Sequence, residues 1–139
     1  LVMASDLGDA WYADLSKLVT NRDWEGDPDG SAHRVADGML EFWTLHKPVL
    51  RVLDMASMEG DLRFREIRTN LLAGATEALM DLAAERHIPG DPMASAGVVV
   101  GMLAHVANHQ HGLERWGVSH DVLVDTVAGI IRRTILGVV

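Results

Sequence analysis

The chain has 139 residues, 48% of them apolar and 23% charged, which is the balance of one ordinary globular domain. Disorder and low-complexity classes are excluded, and the absence of cysteine removes disulfides, thiolate metal sites and cysteine nucleophiles. Twenty Asp+Glu against twelve Lys+Arg give a formal charge of −8, so these residues are not expected to bind a phosphate backbone themselves.

The start of the chain has no basic region followed by an apolar run, so it does not read as a signal peptide. The longest apolar stretch, residues 93–107, is glycine-broken and shorter than the ~20 residues a bilayer span needs. The expectation is a soluble cytoplasmic protein without a membrane partner. The chain opens inside a helical pattern without an initiator methionine, and is expected to continue upstream.

No period-2 alternation persists, and the sequence reads as an all-α bundle of about six helices in one domain, residues 1–139. The first spans 2–19, with Met3, Leu7, Trp11, Leu15 and Leu18 on one stripe and Asp6 and Asp9 on another face. Residues 21–30 form a polar loop. The second helix, 31–47, carries Val35, Met39, Phe42, Trp43 and His46 on one face. Pro48 interrupts it, because proline lacks an amide donor and disfavours helix at the residue before it. A short helix follows over 48–58, closed by Gly60. The fourth, 61–86, has Phe64, Ile67, Leu71, Ala75, Leu79 and Leu82 inward. Asp91 and Pro92 are a good cap and first residue for a fifth helix reaching about His111. Ser119 caps the last, with Asp121 in its first turn.

The last two helices are apolar over more than one stripe, and one such domain has few helices with which to cover them. Self-association would supply the cover, as two helices from each of two copies in a four-helix bundle about a twofold axis. The expected interface takes Gly97, Val100, Gly101 and Ala104 from the fifth helix. From the last it takes Leu123, Val124, Val127, Ile131, Thr134 and Ile135. Gly97 and Gly101, four residues apart, would let backbones approach closely. The other arrangement places both helices at the centre of a single-chain bundle.

The helix order resembles the C-terminal regulatory domain of TetR-family (tetracycline repressor-type) transcription regulators. It is carried by the amphipathic opening helix, the second helix ending in Phe42, Trp43, Thr44, Leu45, His46, Lys47 and Pro48, and the short Pro-led helix. The long fourth helix, the apolar helix opened by Asp91 and Pro92, and the Ser119-capped last helix complete it. The resemblance implies a homodimer through the last two helices and a small-molecule pocket inside the subunit. It also implies a helix-turn-helix module upstream, which would contact operator DNA; nothing in these residues supplies that module. Effector and operator affinities would be reciprocally linked.

Such a pocket is mostly apolar with a few placed polar groups. The inward stripes offer Trp11 from the first helix, Met39, Phe42, Trp43 and His46 from the second, and Met55 and Met58 from the short helix. The fourth offers Leu71, Ala75 and Leu79, and the fifth Met102, His105, Val106 and His109, with Trp116 beyond it. Methionine suits loosely specific apolar sites, although such a stripe is also what plain core looks like. His105 and His109 share a helix face. They read either as a polar rim to the cavity or as solvated side chains complementing the helix dipole.

Metal chemistry is not expected: Val106 stands where a zinc motif of the HExxH type needs glutamate, and no carboxylate completes the set. There is no phosphate loop, nucleophile elbow or Glu-x-x-His pair, and no cofactor is expected. Asp54, Glu59, Asp61, Glu66 and Glu77 read as solvated helix faces. The expected function is therefore that of a non-enzymatic regulator domain answering to a small, largely apolar effector. Two alternatives are a free-standing helical binding or dimerisation domain, and a metal protein using the two histidines.

Overall fold

The computed structural model describes residues 2–138, with side chains from Asp6 onward. Its helices are α1 (Val2–Thr20), α2 (Pro28–Leu45), α3 (Lys47–Met58), α4 (Leu62–Glu85), α5 (Pro92–Asn108), α6 (Gln110–Arg115) and α7 (His120–Thr134), with no strand among the described residues. Met3 and Val139 lie outside the described side chains.

Four side-chain caps set the helix starts. Asp27 accepts from the Gly30 amide, Asp61 from Arg63, Asp91 from Ala94 and Ser119 from Val122. Each such cap is worth about 1 kcal/mol. The cap at Asp27, followed by Pro28 at the first helical position, starts α2 one turn earlier than the apolar pattern suggests. The expected six helices become seven because the fifth breaks at His109. There the backbone leaves helical geometry (φ −113°, ψ 14°) and the amide bonds back to Val106. Gln110 fills the break: its side-chain amide donates to the Ala107 carbonyl at 3.0 Å and to the Leu40 carbonyl at 3.3 Å.

Helices α1 and α4 lie side by side and parallel, since Gly8 meets Ile67 and Tyr12 meets Gly74 further along both. The approach at Gly74 is close enough that a Cβ would overlap the Tyr12 carbonyl oxygen. The Tyr12 hydroxyl donates to Glu77 at 2.6 Å, and that bond holds the phenol above its ordinary pKa of 10.0. Helix α5 packs on the other side of α4 and also against α2.

Helix α7 runs antiparallel along α2. Asp29 pairs with Arg132 at 3.5 Å, His33 with Asp125 at 3.1 Å and Asp37 with His120 at 2.9 Å. These pairs are solvated and each contributes at most about 1 kcal/mol. They edge a seam under which Ala32, Val35, Ala36, Val124, Val127, Ala128 and Ile131 are all buried. The polar loop between α1 and α2 is anchored as well: the Trp24 indole is only 9% exposed and donates to the Val19 carbonyl at 2.8 Å. Arg86 donates to the Trp24 carbonyl from the end of α4. No helix among the described residues is long and apolar enough to cross a membrane.

Candidate functional site

Helices α1 and α2 bring four of the expected ligand-site side chains into one aromatic cluster. The Trp11 ring stands edge-on to Phe42, with centroids 5.2 Å apart and planes at 84°. His46 lies 4.4 Å from Trp11 and 4.6 Å from Phe42, and Trp43 lies 5.6 Å from Phe42. Residues 39, 42, 43 and 46 are three or four apart, so a helix stacks them on one face. Edge-to-face and tilted rings suit the aromatic quadrupole, at about 1 kcal/mol for each good pair.

Burial separates the cluster into a floor and an accessible edge. Trp11, Met39 and Trp43 are buried, as are Leu71, Ala75 and Leu79 of α4. Phe42 and His46 are half-buried, as are Met102 and Val106 of α5. The edge therefore offers two aromatic rings, one carrying ring nitrogens, above an apolar floor.

Other expected wall residues lie elsewhere. Met55 is 62% exposed, Met58 87% and Trp116 87%, so none of the three faces the interior of the chain. Helix phase explains the first two. Leu50 and Leu53 point inward, and at about 100° per residue Met55 falls on the opposite side and Met58 on the flank. Trp116 follows α6, which buries no residue. His105 and His109 are exposed, with rings 4.4 Å apart. No group of three or more metal-ligating side chains occurs among the described residues.

The expected interface residues also divide. Val100, Ala104, Leu123, Val124, Val127, Ile131 and Ile135 are buried within the chain itself, because α2 covers α7 and α2 with α4 covers the inner side of α5. They are core residues of the single chain and need no second copy to shield them. Thr134 is half-buried. Gly97 and Gly101 are exposed, and a Cβ on either would meet nothing within 4 Å. With Ala94 and Val98, the latter 70% exposed, they leave the outer face of α5 bare.

One cluster escaped the sequence reading. Asp54, Ser57 and Met58 of α3 and Arg65, Arg68 and Thr69 of α4 line a groove of ≈ 530 Å³ between the two helices. A charge count along the chain offers the signal for it. Five of the twelve Lys+Arg (Lys47, Arg51, Arg63, Arg65 and Arg68) fall within residues 47–68 of an otherwise acidic chain. At the hairpin joining these helices, the Arg63 side chain hydrogen-bonds the Asp61 carboxyl and holds its pKa below the usual 3.8.

The helix order and the aromatic contact between α1 and α2 belong to an all-α domain. A family model described as the tetracyclin repressor-like C-terminal domain matches residues 15–138. The chain belongs to that family, and is a TetR-type regulator domain. No curated protein and no solved structure matches the chain.

Proposed function

We propose that this chain is the effector-binding and dimerising domain of a cytoplasmic transcriptional repressor whose helix-turn-helix module precedes it. The effector is a small, largely apolar molecule seated against Phe42 and His46. The observation that carries this reading is the aromatic contact between α1 and α2. In the proposed arrangement α1 connects to the DNA-reading module, and Trp11 is the side chain through which a ligand at Phe42 and His46 pushes on it. Differential affinity of the effector for two tilts of α1 would then change operator affinity by the same factor.

The proposed dimer contact is the outer face of α5, with Gly97 and Gly101 at its centre. This is narrower than the interface expected from sequence, since most of the α7 positions are occupied in the core. Small residues on that face support a close helix-to-helix approach, and a stable homodimer would need more than about 1,000 Å² of buried surface in all.

The effector site is tested with Nile red, a neutral dye that brightens in apolar surroundings. Wild-type protein is expected to bind it saturably, and Phe42→Ala to weaken binding about tenfold, equivalent to about 1.4 kcal/mol. Phe42 is half-buried, so the variant keeps its fold, which circular dichroism checks. Equal dye affinity in the two proteins would remove the aromatic edge from the site.

A further inference from the structure

We propose that the groove between α3 and α4 is a second ligand site, separate from the aromatic cluster, and that it takes an amphipathic monoanion such as a medium-chain carboxylate. The two helices run antiparallel through the Glu59–Asp61 turn. This places Asp54 opposite Arg68 and Ser57 opposite Arg65. The lining side chains carry two guanidinium groups and one carboxylate, a surplus of one positive charge. That surplus matches a monoanion better than a dianion.

Both arginines are held in place by one donor and keep others for a ligand. Arg68 gives its Nε to Asp54 at 2.5 Å, and Arg65 gives one terminal nitrogen to the Ser57 carbonyl at 3.3 Å. A guanidinium has five N–H donors in a planar fork that fits a carboxylate. Tethering each fork through one bond lowers the entropy lost when it closes on an anion. The hydroxyl of Ser57, also on the groove, is buried and has no hydrogen-bond partner among the described residues. A buried hydroxyl left so is costly, and a small shift of the helix end would give it an acceptor in the ligand head.

The apolar end of the ligand has a place too. Met58 lines the groove and is 87% exposed, and Leu62, just past the turn, is 70% exposed. Methionine adapts to irregular aliphatic shapes. Head and tail contacts thus lie together, and the groove volume is in the range of small-molecule sites. None of its lining residues belongs to the aromatic cluster, so the two sites can be separated by substitution.

The test is calorimetric titration of the whole chain with octanoate, with 1-octanol as the neutral analogue of equal length and acetate as the head alone. Octanoate is expected to bind at least tenfold more tightly than either. The variant with Arg65→Gln and Arg68→Gln is expected to lose at least tenfold in octanoate affinity, and Met58→Ser severalfold, while Phe42→Ala leaves it unchanged. Arg65→Gln alone, at an exposed side chain, serves if removing Arg68 from Asp54 impairs folding, and is expected to lose several-fold. Failure of wild-type protein to bind octanoate at about 10 mM, far weaker than a millimolar site, would overturn the proposal. Equal octanoate affinity in Arg65→Gln, or loss of binding in Phe42→Ala instead, would overturn it as well.

Discussion

Gly74→Ala is expected to destabilise the domain by about 3 kcal/mol, although it adds a single methyl group. The added Cβ would overlap the Tyr12 carbonyl oxygen, which belongs to the rigid backbone of α1 and cannot rotate away. Relief requires α1 to move off α4, and with it Trp11 and Leu15, both buried. Glycine inside a helix is itself unfavourable by about 1 kcal/mol relative to alanine, so the variant gains propensity and still loses overall. Gly112→Ala in α6 is the control: open space surrounds that position, and the same exchange should stabilise the fold by up to about 1 kcal/mol. Urea unfolding of the two variants measures both values. Equal stability of Gly74→Ala and wild type would mean that α1 and α4 are not in the close approach described.

Trp11→Ala is expected to cost about 3–5 kcal/mol, the range for removing a buried large aromatic. Trp11 is 4% exposed and contacts both Phe42 and His46, so the loss includes ring pairs as well as buried area. Against a total stability of about 5–15 kcal/mol, that leaves a marginal fold. Trp11→Phe retains an edge-on ring and should recover more than half of the loss. Thermal and urea melts of the two variants compare them. A Trp11→Ala protein as stable as wild type would show that α1 is fixed by its contact with α4 alone.

The sequence exposed much of the helix plan because its boundaries are written in local chemistry. Pro48, Asp91 with Pro92, and Ser119 act within one turn of themselves, and each stands at the helix start expected of it. The inward stripe of α4 was legible from 3.6-residue spacing: Leu71, Ala75, Leu79 and Leu82 are buried, and Phe64 and Ile67 partly so. What periodicity does not contain is the identity of the covering element. Nothing near Val124 or Ile131 says that α2 lies over them, and the pairs that edge that seam join residues as far apart as Asp29 and Arg132. From the sequence alone, an apolar face on α7 is therefore indistinguishable from a face that needs a second copy.

The candidate site was legible in part for the same reason. Met39, Phe42, Trp43 and His46 sit on one helix, so their common face follows from spacing alone. Trp11 joins them across helices, which only packing could decide. Met55 and Met58 are apolar and α3 has apolar residues on several sides, so only packing shows that Leu50 and Leu53 face inward and both methionines face out. Trp24 sits among polar neighbours, so no local pattern marks it as buried. Its burial depends on contacts with the ends of α1 and α4.

Sedimentation equilibrium at about 10 µM tests the central claim most directly, since stable apolar interfaces hold at that concentration. The proposed contact predicts a dimer for the wild-type chain and a monomer for the variant carrying Gly97→Leu and Gly101→Leu. That variant should still fold as a monomer, because within the chain both positions face open space, although it forgoes the stability the wild type gains by dimerising. A wild-type chain that sediments as a monomer, or a double variant that remains a dimer, would contradict the account.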